Sequence, residues 1–157
     1  MLGGVRRATT DGDRGAVLME AAIVTPFFLL LLFGIWTTAR AWNVHNVLDH
    51  AAREAARYGA VDQNHAAITT IAQGEVVAAS FPWSDVTFCS AVMDGATVIS
   101  RNSGTGPCIA LGSSAGQDPT TDERVQVSLV VDDYPLDFLF FSIDVDLRGQ
   151  GVARLEP

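Results

Sequence analysis

The stretch Arg14–Trp36, RGAVLMEAAIVTPFFLLLLFGIW, constrains this chain most: an apolar run with one carboxylate, Glu20, near its start. From Ala21 to Ala39 no residue is charged. A helix of that length reaches about 28 Å at ~1.5 Å per residue, close to the hydrocarbon thickness of a bilayer. A transmembrane helix over 16–41 follows. Pro26 removes one backbone hydrogen bond within it and predicts a kink. Arg6, Arg7 and Arg14 precede the run. The positive-inside rule then makes 1–15 a cytoplasmic leader and puts 42–157 outside, the topology of a single-pass membrane protein. Glu20 is costly in lipid and calls for a partner or a polar cavity. The plainer alternative is that it snorkels to the water boundary and has no role.

A secretory signal peptide competes with the membrane span. It needs a basic start, an apolar core of about 7–15 residues and an A-x-A site, and Ala39-Arg40-Ala41 offers one. On that reading the chain is a secreted binding module released by cleavage after Ala41. The following sequence argues against it. Val44, Val47, Leu48, Ala51, Ala52, Ala55 and Tyr58/Gly59 recur at helical spacing, with Asn43, Asn46, Asp49, His50, Arg53, Glu54 and Arg57 on the other face. No Gly or Pro separates this stripe from the membrane run, so one helix is expected from Ala16 to Tyr58, with Gly59 as its C-cap. Cleavage after Ala41 would cut it in two.

The rest reads as a small α+β body. Asp62 or Asn64 is placed to cap a second helix over His65–Ser80, with Ile68, Ile71, Ala72, Val76 and Ala79 as its apolar face. Phe81-Pro82 ends it. Strands follow: Val86–Val92; ATVIS after an Asp94-Gly95 hairpin turn; Arg124–Val131; and a last one from Ile143 to Leu155, with Gly149 and Gly151 marking a bulge or bend. Arg101–Pro107 and Gly112–Thr121 read as loops. The economical fold is α+β: a long helix and a second helix packed on a small antiparallel sheet that covers the Val47–Ala55 stripe. Between the last two strands lies DYPLDFLFFSI, read as a connection. Its Phe138, Leu139, Phe140 and Phe141 either pack as core beneath the loop or form a patch for the bilayer or a partner subunit.

Charge and motif content narrow the function. From Trp42 onward there are six Arg against fifteen Asp and Glu, and the chain has no Lys. Such an acidic body repels a phosphate backbone, which argues against nucleic acid. Two cysteines, Cys89 and Cys108, flank a turn-rich segment. A disulfide between them is expected outside the cytoplasm and would contribute roughly 3 kcal/mol; two free buried thiols are the alternative. Their spacing fits no zinc pattern. His45 and His50 fall on different helix faces; His45 and Asp49 share one but lack a third metal ligand; His65 sits where capping is the plain reading. Asp132, Asp133, Asp137, Asp144 and Asp146 lack the calcium-loop pattern. Neither H-E-x-x-H, a P-loop nor a dinucleotide fingerprint occurs. No enzyme, cofactor or metal site is expected.

The pairing of RGAVLMEAAIVTPFFLLLLFGI with AAREAARYGA resembles the start of TadE-like proteins, and the closing GVARLE resembles that family's last strand. These proteins are minor pseudopilins of the tight-adherence (Flp) type IV pilus machinery. The resemblance covers about the first 60 residues and the last few. It implies a pilin-like α+β fold, membrane anchoring, and other pilins, pseudopilins and Tad assembly proteins as partners. It also implies processing by a prepilin peptidase, a membrane aspartic protease that cuts after a Gly on the cytoplasmic side. Here that Gly is Gly15, the new N-terminus is Ala16, and the carboxylate five residues beyond the cut is Glu20. In pilin families this carboxylate meets the freed amine of a neighbouring subunit. Major Flp pilins carry an aromatic after the Glu and little domain after the helix. The Ala21 and the long body found here favour an assembly component over a major pilin.

Overall fold

The computed structural model describes residues 11–94, 97–103, 123–138 and 140–155. One helix, α1 (Asp11–Val61), carries both the apolar run and the amphipathic stripe without a break. It passes through Pro26. Hydroxyls inside the run return to the helix: Thr25 Oγ1 donates to the Ala21 carbonyl at 2.6 Å and Thr38 Oγ1 to Gly34 at 2.8 Å. Threonines are thus accommodated in an apolar setting without an unpaired donor.

The first half of α1 is bare. Val17, Leu18, Met19 and Phe27 are each more than 60% exposed, on every face of the helix. The second half is roofed. Leu48, Ala51, Ala52, Ala55 and Ala56 are fully buried, and Ala41 and Ala60 nearly so. Tyr58, expected on the core face, is exposed. Gly59 does not end the helix, which runs two residues further. A Cβ there would lie 2.8 Å from Ile68 Cδ1 and 2.9 Å from Val125 Cγ1. Gly59 therefore serves close packing rather than capping.

The second helix, α2 (His65–Ala78), is capped by Asn64, whose Oδ1 accepts from the Ala66 N–H at 3.0 Å. Ile68, Ala72 and Val76 are its buried stripe. Its end is a Schellman turn: Phe81 N–H donates to Val76 O at 3.2 Å and Ser80 N–H to Val77 O at 2.9 Å. Ser80 occupies the left-handed position, φ 62°. After a 3-10 turn (Trp83–Asp85) come four strands: β1 (Thr87–Asp94), β2 (Thr97–Ser103), β3 (Glu123–Asp137) and β4 (Ser142–Arg154). They form one sheet in the order β2-β1-β3-β4, every neighbour antiparallel. Asp94 pairs with Thr97, as the expected hairpin requires, while the turn itself lies outside the described residues. Arg101–Ser103, expected as loop, belong to β2; the remainder of both expected loops lies outside the described residues.

One face of the sheet supplies Phe88 and Val92 from β1 and Val125, Val127, Leu129 and Val131 from β3. They close the core against α1 and α2. The side chains of Cys89, Ala91, Arg124, Gln126 and Ser128 alternate onto the other face and are also buried. Cys89 is 1% exposed, and Cys108, its expected partner, lies outside the described residues.

Two glycines bring β4 onto α1. A Cβ at Gly149 would fall 2.2 Å from the Leu48 carbonyl carbon, and one at Gly151 would fall 2.1 Å from the Ala52 carbonyl oxygen. The register from Leu147 to Arg154 is unbroken. The expectation of a bulge here is therefore corrected: these glycines let a strand lie directly on helix backbone. The bulge falls instead in β3 between Val131 and Tyr134, with Asp133 at φ 53°. Asp49 completes the seam, its Oδ1 accepting from the Gln150 N–H at 3.1 Å. That bond occupies an outward N–H of an edge strand, one of the groups that would otherwise template further pairing.

Candidate functional site

The residues singled out in the sequence lie in two places on α1. Gly15 is exposed within the first turns of the helix, with open space around it. The side chain of Ala16 lies outside the described residues. Glu20 is exposed, and no hydrogen bond or ion pair to it occurs among the described residues. Among the described residues, then, nothing meets this carboxylate at the head of the uncharged run, a place where lipid would call for a partner. The helix from Val17 onward is long and apolar enough to cross a membrane, and the most apolar stretch of it is entirely unburied.

The second place is the far end of that run. β3 does not stop at Val131, as the alternation suggested, but continues through Pro135 to Asp137, and β4 begins at Ser142. The expected long connection is a tight tip. Pro135 is tolerated because β1 pairs with β3 only as far as Val130, so that β3 has one neighbour at this level. The Phe138 N–H donates to Phe141 O at 2.8 Å, and the two rings stack at 4.8 Å. Phe138 lies against Gly34 of α1, 3.6 Å from where a Cβ would be. Thr37 Oγ1 donates to the Asp137 carbonyl at 2.7 Å. The core reading of this tract is thus corrected in part: Phe138 packs on α1, whereas Phe140 is 74% and Phe141 51% exposed. Leu139 lies outside the described residues.

Just beyond the apolar run, between α1 and β3, a cleft of about 520 Å³ gathers Arg40 with Asp85, Asp132, Asp133 and Asp137. The acidic residues of β4 face water, where Asp146 meets Arg148 at 3.4 Å and accepts from the Asp133 N–H. Of the histidines, His45 lies beside the Trp42 ring and His50 lies 3.6 Å from Glu75. Asp49 turns to Arg53 and Gln150 rather than to a metal. Among the described residues no three His, Cys, Asp or Glu side chains converge.

His65 does something the sequence did not suggest. Asn64 caps the helix in its place, and the His65 ring bridges two strands, Nδ1 to Ser90 Oγ at 2.7 Å and Nε2 to Ser100 Oγ at 3.0 Å. Burial lowers its pKa from the ordinary 6.5. The Ser–His geometry is not that of a nucleophile, because Ser90 is fully buried and unreachable by a substrate. It joins α2 to β1 and β2.

Ala41, the last residue before the alternative signal-peptide cut, is 8% exposed in the middle of α1. Such a bond is a poor peptidase substrate until the helix opens. No curated protein and no solved structure matches the chain. The model of the family described as TadE-like protein does match, over residues 15–57, so the chain is similar to that family from Gly15 through the apolar run to the buried part of α1.

Proposed function

We propose that this protein is a minor pseudopilin, a non-enzymatic, single-pass membrane component of a tight-adherence (Flp) type IV pilus assembly system. The TadE-like match supports a Tad pilus-associated protein. The observation that carries the finer reading is Glu20, without a partner among the described residues, at the head of a bare apolar helix that continues unbroken into the core of an α+β body. Residues 1–15 are the cytoplasmic leader, 16–41 cross the inner membrane, and 42–157 stand outside it, as Arg6, Arg7 and Arg14 before the span favour. A prepilin peptidase cuts after Gly15. Gly15 is exposed with open space around it, near the described start of α1, where a helix opens more readily than in its packed interior. The freed amine of Ala16 on one subunit then meets Glu20 on a neighbouring pilin or pseudopilin.

The work is done by packing: helix against helix in the membrane, and body against body outside it. Because the leading half of α1 and its roofed half are one rod, a pull or rotation on the span reaches the sheet directly. The test is Glu20→Ala beside Glu20→Gln in the host cell. Both variants are expected to insert normally and to lose pilus assembly. Normal assembly with either would make Glu20 a boundary residue without a role. Release as a secreted module after Ala41 is not favoured, since it would sever the rod and discard Thr37, which holds the hairpin tip.

A further inference from the structure

Beyond the anchor helix, the observations reach furthest at the tip of the β3–β4 hairpin. Past Val130 the hairpin leaves the four-stranded sheet and runs as a two-stranded ribbon back along α1, toward the helix's N-terminal half. Its height on the helix is fixed by the Thr37–Asp137 hydrogen bond and by Phe138 against Gly34. Gly34 lies five residues inside the end of the uncharged run at Ala39. At ~1.5 Å per residue that is about 8 Å below the level of Ala39. Any bilayer that covers 21–39 therefore covers the height at which Phe138 sits.

Three further features fit that height. Charges stop at one level on both elements: Arg40 on the helix and Asp137 on the hairpin line the same cleft, and Phe138, Leu139, Phe140 and Phe141 follow Asp137 without a charge. Trp36 and Trp42, each 66% exposed, bracket the boundary, where tryptophan prefers to lie. The ribbon's pairing, closed by the Phe138–Phe141 backbone bond, satisfies the inward-facing backbone groups of the tip, which lowers the cost of placing it against lipid. Phe140, Phe141 and Ile143 remain as exposed apolar surface, beside a groove floored by Leu30, Leu31 and Ile35.

We propose that the hairpin tip is a second membrane contact, inserted among the phospholipid acyl chains of the leaflet at the Arg40 end of the span. This rests on the reading of α1 as a membrane helix. Two contacts from one rigid unit fix both the depth and the rotation of α1, which a single smooth helix leaves free. The sheet then stands at one height above the bilayer and presents one face sideways to other subunits.

The test places the photocrosslinker p-benzoylphenylalanine singly at Ile23, Phe140, Phe141 or Val98 of the full chain, in vesicles of phosphatidylethanolamine and phosphatidylglycerol. Val98 is exposed on β2 at the opposite end of the sheet. Adducts after irradiation are identified by mass spectrometry. Lipid adducts at 140 are expected at least about tenfold above those at 98, as the transfer preference of one aromatic ring sets, and comparable with those at 23. Position 141, tested separately, repeats the result should the 140 variant misfold. Lipid adducts at 23 without any at 140 and 141 would overturn the second contact and leave the span standing. Absence of lipid adducts at 23 as well would overturn the span itself. Adducts from 140 to a second protein chain in place of lipid would also overturn the proposal and make the tip a subunit contact.

Discussion

Thr37 on the long helix and Asp137 on the β3–β4 hairpin are joined by a 2.7 Å hydrogen bond from hydroxyl to backbone carbonyl. The same hydroxyl proton is shared with Phe33 O at 2.9 Å, so one buried side chain ties the hairpin to the apolar part of the helix. Thr37→Val keeps the shape and removes the tie. It is expected to cost about 1 kcal/mol, with the Asp137 carbonyl left unmatched. Hydrogen exchange should quicken in the ribbon, from Tyr134 to Ile143, and stay unchanged in β1. Thr37→Ser should restore protection; uniform quickening of the whole sheet would show that the tie is not local.

The glycines of β4 give the sharpest stability contrast. Gly151→Ala drives a methyl into the Ala52 carbonyl, and neither backbone can yield cheaply. Losses of about 3 kcal/mol or more are expected from overpacking of this kind. Gly74→Ala is the counterpart: nothing lies within 4 Å of its Cβ, and it sits inside α2. It should stabilise by roughly 0.5–1 kcal/mol. Denaturant melts in detergent micelles, followed by the Trp83 environment against Phe88, would rank the two. Equal effects would mean that the strand does not lie on the helix as described.

Ser80 holds a left-handed conformation that glycine adopts without strain. Ser80→Gly keeps both bonds of the Schellman turn, and a gain of about 0.5–1 kcal/mol is expected after the extra unfolded-state entropy is counted. A loss in the same melts would mean that the serine side chain contributes more than its strain costs.

His65 makes the body sensitive to acid. Its folded pKa is lowered by burial, so the unfolded chain takes up the proton first as pH falls. Its contribution is whole above the ordinary value of 6.5 and is lost as pH drops below it. Melting in detergent should therefore fall between pH 7.5 and pH 5. The fall should be shallower in His65→Gln, which stays neutral. An equal slope in both proteins would assign the pH dependence to other groups.

Some of this architecture is legible in the sequence, and some is not, for physical reasons. The long apolar helix, the second helix and the alternating core of β3 follow from periodicity, because each is decided by its own residues; the sequence narrows the cap only to Asp62 or Asn64, and the structure has Asn64. Gly59 looked like a helix end and Gly149 like a bend. Both are shaped by partners far away in sequence, Ile68 and Val125 for one and the Leu48 backbone for the other. The reach of β3 through Pro135 was hidden because Asp132 and Asp133 break the alternation at a bulge. The His65 bridge depends on Ser90 and Ser100, two hydroxyls that look like ordinary strand polars. Glu20 stood out at once, since a carboxylate at the head of an uncharged run needs no fold to be conspicuous.

The central claim is that the rod is trimmed and left in the membrane, so that a new amine faces Glu20 of a neighbour. N-terminal sequencing of the mature protein from host membranes tests it most directly. The sequence should begin at Ala16. A start at Met1 would remove the freed amine and with it the role given to Glu20. A start at Trp42 would contradict the membrane-anchored pseudopilin altogether.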